Sequence, residues 1–447
     1  MRDDVKKRIE AVRRGEVPEG YCMEKAMLYP ADWGHPVQLN TVLRENKERN
    51  EKLIYGKQHV LSVSGEQGVV NQVDLLGRSY AGESVAPYHI VETGDVVYTK
   101  SPLKLNPYGI IKQNHGAPGI VSTLYAVYHC SNPETGQYLE NYFSIDSYLN
   151  NYLKPLVKRG AKNDMKVNNE EVLLGKIPIP SIDEQKKINS LLAKYDNIIE
   201  LKINIVKELL RLKKSYLAKM FPREGSGDPE IRFTGFTGSW EQHAFSDIFT
   251  VLQNCTLSRA ELDDESGCAK NLHYGDILTI LGEYTDASKA QLPFIKSYET
   301  VEKFSMSLLQ DGDIIMADTA EDESAGKCTE IANIQGFPTI SGLHTIPMRP
   351  KGKYAPGYMG YYMNSLGYHE QLLPIMQGVK VTSVSKSALQ KTRIMIPPRI
   401  EEQKRIGSFF IHLDELIGLR QSEVEEEQKK KKALMQLLLT GLIRVNV

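Results

Sequence analysis

Apolar residues recur at helical spacing over two long stretches of this chain. In 177–221, IPIPSIDEQKKINSLLAKYDNIIELKINIVKELLRLKKSYLAKMF, residues Ile188, Tyr195, Leu209 and Tyr216 share one heptad position, and Leu191, Ile198, Ile205 and Leu212 share the other. In 394–439, IMIPPRIEEQKRIGSFFIHLDELIGLRQSEVEEEQKKKKALMQLLL, residues Ile406, Leu413 and Leu434 take the first position, with Leu416 and Leu437 near the second. The pattern predicts two helices with a coiled-coil seam of roughly five heptads each. Lys202 and Arg420 interrupt both seams at the same register, and Glu427 interrupts the second. Charged seam residues cost stability and fix register, so the two helices are expected to pair with each other in one alignment. Antiparallel pairing would put the globular parts at opposite ends of a dumbbell with an approximate two-fold axis. The plainer alternative is that each helix packs on its own domain.

Between the helices the pattern changes to short mixed strands and turns. Residues 1–30 read as a charged helix and a lead-in. Residues 31–180 form a first globular stretch opened by Trp33 and closed by Pro178 and Pro180, and 181–221 is the first helix. Residues 222–238 are a Gly/Pro/polar linker, 239–397 a second globular stretch opened near Trp240, and 398–442 the second helix. Ser181-Ile182-Asp183-Glu184 fits a capping box, whereas Arg399 replaces the Ser at the second helix, so a weaker cap is expected there.

The chain repeats itself. From Ile182 onward the two helices align without a gap at an offset of 218, placing Glu184 on Glu402, Gln185 on Gln403, Ile188 on Ile406, Asp196 on Asp414 and Lys213 on Lys431. The globular stretches repeat more faintly. Gly94-Asp95 matches Gly312-Asp313, Gly160 before Lys162 matches Gly378 before Lys380, and Ser122-x-Leu124 matches Ser341-x-Leu343 with a shift of one. A Gly-Asp pair before β-branched residues reads as a tight turn that serves the backbone. Two matching halves on one chain suit a target that also has two parts.

Composition narrows the class. The chain has 447 residues, 25% charged and 41% hydrophobic, enough for two or more cores. Its net charge of −1 gives no global signal for nucleic acid or membrane, so a DNA role requires local concentration of positive charge. The five cysteines are dispersed without zinc spacing, the N-terminus MRDDVKKRIEAVRR has no apolar core, and no apolar run is long enough to span a bilayer. A cytoplasmic protein in a reducing compartment is expected.

Catalytic motifs are missing: there is no GxGxxG, Walker loop, HExxH or GxSxG. Asn106-Pro107-Tyr108-Gly109 lacks the second Pro of an amino-methyltransferase tetrad and reads as a turn. Asp318, Glu321, Asp322 and Glu323 form an acidic loop, better read as exposed than as metal-binding. Positive charge is concentrated in 100-KSPLKLNPYGIIKQNHG-116, where Lys100, Lys104 and Lys112 accompany Asn106, Tyr108, Gln113, Asn114 and His115. Lysines position phosphates, and amide and aromatic groups reach base edges, so this loop is the candidate DNA reader together with Lys162. In the second half Lys289, Lys296, Lys327, Arg349 and Lys380 are scattered, and His344 joins them as a candidate; ordinary surface charge explains any single one equally well.

The segments 178-PIPSIDEQKKI-188, 229-PEIRFTGFTGSW-240 and 396-IPPRIEEQKRI-406, set between two globular halves, resemble the specificity subunit of type I restriction-modification systems. The resemblance covers nearly the whole chain. It implies an α+β fold: two tandem α/β target-recognition domains separated by two long helices in an antiparallel coiled coil, pseudo-two-fold symmetric. It implies no catalysis and no cofactor in this chain. Partners would be double-stranded DNA, two modification subunits that methylate adenine with S-adenosylmethionine, and restriction subunits that use ATP and Mg2+. The repeated helices would be a ruler and a docking site, with Glu184, Gln185, Ile188, Asp196, Lys202, Glu402, Gln403, Ile406, Asp414 and Arg420 as spacer and partner-docking residues. A divergent methyltransferase or nuclease, and a coiled-coil scaffold with no DNA role, are the rival classes. At ~1.5 Å per residue, helices of about 38 residues parallel about 17 base pairs, which leads to an expected split target of about 13–15 base pairs with an unread gap of roughly 5–8.

Overall fold

A computed structural model describes residues 3–25, 27–159, 165, 166, 168–378 and 381–445. The chain forms two compact units, Met1–Leu201 with Val424–Val447, and Lys202–Glu423. Each unit therefore contains one end of each long helix.

In the first unit β1 (Leu43–Glu45), β2 (Val96–Thr99), β3 (Ile110–Gln113) and β4 (Tyr125–Cys130) make an antiparallel sheet in the order β1-β4-β2-β3. The strands are apolar on both faces because both are covered. Val96 and Tyr98 face a core with Tyr128, Tyr138 and Leu149, while Val97 and Val127 face a second core with Leu61, Val91 and Val121. The first core is closed by α1 (Pro133–Phe143) and α2 (Asp146–Leu153) and by the start of α3 (Ile182–Lys219). Asn132 caps α1 by accepting from the Glu134 N–H, and Pro133 occupies the first turn, where its missing donor costs nothing.

The second unit repeats this plan. Its sheet contains β5 (Phe249–Val251), β6 (Tyr284–Asp286), β7 (Ile314–Ala317), β8 (Cys328–Ala332) and β9 (Thr345–Pro350), in the order β5-β9-β7-β8-β6, with β6 parallel to β8. Ile314 and Met316 face a core shared with α4 (Tyr358–Met363), α5 (Leu366–Leu372) and the start of α6 (Ile400–Leu439). Ile315 and Ala317 face a second core with Leu272 and Ile277. By order and pairing β1, β4, β2 and β3 correspond to β5, β9, β7 and β8.

The faint Gly-Asp match is a structural device. Gly94 and Gly312 have φ of +92° and +89°, which glycine adopts freely. Asp95 accepts the Glu92 N–H (2.8 Å) and meets His129 Nδ1 on β4 (2.6 Å). Asp313 accepts the Gln310 N–H (2.8 Å) and is gripped on both oxygens by Arg349 on β9 (2.9 and 2.7 Å). Arg349 is thus spent on the fold rather than offered to a ligand.

The two long helices run antiparallel. In the second unit Lys202 meets Glu423 (3.4 Å), Lys213 meets Asp414 (2.6 Å), and the Tyr216 and Phe409 rings lie 5.1 Å apart, so numbers rise on α3 as they fall on α6. In the first unit Lys431 pairs with Asp196, and Ile188 and Leu192 share a core with Met435, Leu438 and Leu439. Lys202 and Arg420, the predicted seam interruptions, converge on Glu423.

One part of the seam differs from expectation. The second seam position lies one residue later, at Leu192, Ile199, Val206 and Lys213, and at Phe410, Ile417, Val424, Lys431 and Leu438, all buried or half-buried. Ile198, Ile205, Leu212 and Leu416 are exposed instead. Lysines on the true stripe and leucines on the solvent stripe hide the phase from the sequence pattern.

The cap of α3 is also half of what was expected. Ser181 Oγ accepts the Glu184 N–H (3.3 Å), but the Glu184 side chain is claimed elsewhere. It accepts from Trp33 Nε1 (2.9 Å) and from both Nε and Nη2 of Arg444 (2.7 and 2.9 Å). At Arg399 the Glu402 N–H falls back on the Arg399 carbonyl (3.1 Å). The buried Glu402 carboxylate is gripped by Arg232 (2.7 and 2.9 Å). Segments near both ends of the sequence thus perform in the first unit what the linker performs in the second. Tyr21 donates to the Gly441 carbonyl (2.5 Å) and Arg444 also meets Asp32 (3.0 Å).

Candidate nucleic-acid interface

A recognition surface needs side chains that are exposed, held in place and not consumed by the fold. The loop after β2 meets this at its tip. Residues 101–105 are exposed, with Lys104 between Leu103 and Leu105. Asn106 forms the turn that shapes it: its carbonyl accepts from the Leu103 and Gly109 N–H groups, and its amide donates to Asp146 (2.9 Å). A side chain at Gly109 would put Cβ 1.9 Å from the Thr99 carbonyl oxygen, so only glycine closes this loop. Tyr108 is half-buried, and its carbonyl accepts from the Tyr98 hydroxyl (2.6 Å). Lys100 sits at the root, half-buried, and burial holds its ammonium below the usual lysine range.

The far end of the predicted loop is turned inward. Asn114 is buried; its amide donates to the Glu92 and Ala117 carbonyls and accepts from the Gly116 N–H. Gln113 is buried beneath Gly94 and Pro133, donating to both carbonyls. Lys112 donates to Ser144 Oγ (3.4 Å) and lies 3.8 Å from Glu140. His115 Nε2 meets Glu140 (2.5 Å), and that bond raises its pKa. These groups have local partners because 110–113 is a strand of the sheet rather than part of a loop. Asn114, expected as a base reader, is thus committed to backbone partners within the fold.

In the second unit the lysines are dispersed, as the sequence showed. Lys289 pairs with Asp286 (3.3 Å) and Lys296 with Asp263 (2.5 Å). The Lys296 ammonium and two backbone N–H groups hold the Asp263 carboxyl down at about 2. Lys327 donates to the Leu278 carbonyl (3.2 Å) and burial lowers its pKa. His344 stands at the tip of the β7–β9 end with Asp318, Thr319 and Tyr274. Neither Asp318 nor Thr319 was a candidate reader; the strand register brings them beside His344. Lys162 and Lys380 lie outside the described residues. Among the described residues no group of three or more His, Cys, Asp and Glu could hold a metal, and no helix is long and apolar enough to cross a membrane.

The proposed docking residues of the helices divide into two kinds. Glu184, Gln185, Ile188, Glu402, Gln403 and Ile406 are buried within their units. Gln185 accepts from Thr135 Oγ1 (2.9 Å) and donates to the Pro180 carbonyl (2.7 Å); Gln403 accepts the Ala355 N–H (3.3 Å). Asp196, Lys202, Asp414 and Arg420 form ion pairs with side chains of the long helices. Among the exposed residues of the helices, many of them charged, stand apolar ones at matching places: Ile198 and Leu201 in the first unit, and Leu416 and Leu419, their mates at the 218 offset, in the second.

Comparison with known proteins agrees with this architecture. Residues 238–427 match the family model of the type I restriction modification DNA specificity domain. A putative type I restriction enzyme MjaX specificity subunit from Methanocaldococcus jannaschii is 26% identical over 304 residues, 66% of this chain and 65% of its own length. The type I restriction enzyme MjaVIII specificity subunit of the same organism is 24% identical over 279 residues, 60% of this chain and 62% of its own. The chain thus matches less than two-thirds of the length of these relatives. A chain from a solved type I R-M system, described for its complex assembly and conformational transition, shares the fold with a TM-score of 0.56 at 16% identity, covering 97% of this chain and 100% of its own. The family resemblance read from the sequence motifs is borne out.

Proposed function

We infer that this chain, which carries the type I restriction modification DNA specificity domain over residues 238–427, is the subunit that reads a bipartite DNA sequence for a type I restriction-modification complex. One observation carries the reading. The same strand order, Gly-Asp turn and helix-start carboxylate gripped by an arginine occur in both units, 218 residues apart along the helices. A duplicated recognition module on paired helices matches a target with two half-sites, where specificity comes from two short readouts and a fixed distance. Binding at one half-site raises the effective concentration of the other module at its own.

The chain acts by positioning rather than by catalysis. Modification subunits with S-adenosylmethionine would supply methylation, and restriction subunits with ATP and Mg2+ would supply translocation and cleavage. Their docking surface is assigned to the exposed apolar positions Ile198, Leu201, Leu416 and Leu419 rather than to the buried Glu-Gln-Ile triplets. The observed α3 and α6 contain 38 and 40 residues. Deleting one heptad from both shortens the pair by about 10 Å, which should narrow the gap by about three base pairs and leave both half-site sequences unchanged. Methylome sequencing of a host with and without the gene tests the reading, and mapping the paired deletion tests the ruler. No methylation that depends on the gene would sink the function; an unchanged gap would sink the ruler alone.

A further inference from the structure

The two recognition tips can be matched position by position. In the first unit the N–H of Lys100, just after β2, donates to the carbonyl of Leu124, just before β4 (3.4 Å). In the second the N–H of Asp318, just after β7, donates to the carbonyl of His344, just before β9 (3.1 Å). The same backbone bond joins the same two strands, and the residue that makes it has the opposite charge.

The rest of the second tip keeps that sign. Glu321, Asp322 and Glu323 are exposed in the following loop. The nearby lysines bond to neutral oxygens: Lys327 donates to the Leu278 carbonyl (3.2 Å), and the exposed Lys386 meets Asn254 Oδ1 (3.4 Å) while Asn254 Nδ2 donates to the Gly342 carbonyl (3.3 Å). A carboxylate is repelled by phosphates and weakens sequence-independent binding. Where it does favour DNA is against a base-edge donor, the exocyclic amino group of cytosine or adenine.

Asp318 is built for such a contact. Its Oδ1 accepts from Thr319 Oγ1 (2.7 Å) and lies 3.3 Å from His344 Nδ1, while Oδ2 has no partner among the described residues. The carboxylate is one-quarter exposed. His344 is held in the left-handed backbone region at φ +54°, uncommon for a non-glycine residue, with its ring edge-on to Tyr274 at 5.4 Å. A carboxylate fixed on one oxygen and open on the other is a directional acceptor.

We propose that Asp318 is a specificity-determining residue that accepts a hydrogen bond from the exocyclic amino group of a cytosine or adenine in the second half-site, with Thr319 and His344 positioning its carboxylate. This rests on the reading of the chain as a DNA-sequence reader. The test uses the full chain assembled with its modification subunits and duplexes randomised across both half-sites. Wild type should demand cytosine or adenine at one position of one half-site. D318N keeps one acceptor oxygen and adds an N–H donor, so cytosine should lose roughly tenfold to a hundredfold against adenine, whose N6 and N7 edge an amide matches, the other positions staying fixed. D318A should abolish the preference there and leave binding to unrelated DNA equal or stronger, because a repelling charge is gone. A uniform fall in affinity for all sequences in both variants, or an unchanged preference profile in D318A, would overturn the proposal. A wild-type complex without sequence preference would instead defeat the DNA-reading function before any variant is compared.

Discussion

The lysine–carboxylate pair between the long helices occurs twice, and its two copies live in different surroundings. Lys213 with Asp414 and Lys431 with Asp196 are one pair repeated at the 218 offset. In the second unit Lys213 is also met by Glu283 (2.5 Å), and the Tyr361 hydroxyl donates to Asp414 (2.7 Å). Burial pulls the Lys213 pKa down, and Glu283 and Asp414 more than offset it, so the net shift is upward. In the first unit Asp196 is 56% exposed. The duplicated sequence preserved the pair, while the surrounding domain decided what it is worth. An ion pair enclosed by protein is costly to break because the remaining charges are stranded, whereas one open to water loses little.

Breaking the two copies separately gives the largest expected contrast. Lys213→Ala leaves Glu283 and Asp414 facing each other and should cost about 3–5 kcal/mol of stability. Lys431→Ala should cost less than about 1 kcal/mol. Denaturant unfolding of the two variants measures both, and equal losses would show that the environments do not differ in effect.

Asn114 separates a structural reading of the first tip from a recognition role. Asn114→Ala removes a buried amide that bonds the Glu92 and Ala117 carbonyls and the Gly116 N–H, and should cost about 1–3 kcal/mol in unfolding experiments. Its base preference should be unchanged when mapped on randomised duplexes. A stable variant with altered preference would restore Asn114 as a reader.

The strand position behind the Gly-Asp turn sharpens the comparison further. Gln113 pairs opposite Val96, and Glu330 pairs opposite Ile314, so they are the same place in the two sheets. Gln113 is neutral. Glu330 is buried, accepts the Gly357 and Gly360 N–H groups (2.7 and 3.0 Å), and burial pushes its carboxyl up from 4.5 to about 7. A folded-state pKa above the unfolded one means that the folded protein holds the proton more tightly. The resulting stability is fully present below pH 4.5 and is lost as pH rises to about 7. Within that window one such group contributes a fall approaching ~1.4 kcal/mol per pH unit. Wild type minus E330Q should show this slope in thermal unfolding across pH, and a flat difference would remove Glu330 as its source.

The smallest expected effect concerns the first tip. Lys104→Ala should weaken the assembled complex on matched and mismatched sequences alike and lower the salt slope by about one. A change confined to matched sequences would make Lys104 a base reader like the Asp318 proposed in the second tip.

Much of this architecture was legible in the residues. Helix existence follows from local spacing, because a 3.6-residue repeat and a Pro- or Gly-marked boundary are set by neighbouring residues. The 218 offset follows from aligning the two halves, and the family resemblance from the segments 178–188, 229–240 and 396–406. The Gly-Asp turn was legible for the same reason. The seam phase was not: Ile198, Ile205 and Leu212 look like core and are exposed, while Lys213 and Lys431 look like surface and are on the packed stripe. Which stripe is packed depends on what the facing helix and domain present there. The destinations of Glu184 and Glu402 were hidden too, since Arg444 lies 260 residues from the first and Arg232 lies 170 from the second. The inward turn of Asn114 and the meeting of Asp318 with His344 were set by strand register, a relation between distant segments that sequence spacing does not encode. By itself the sequence determined the elements, the duplication and the class of protein. Tertiary structure alone decided which charged and amide groups the fold consumes and which it leaves at the tips, because burial and partner geometry arise only when distant segments pack together.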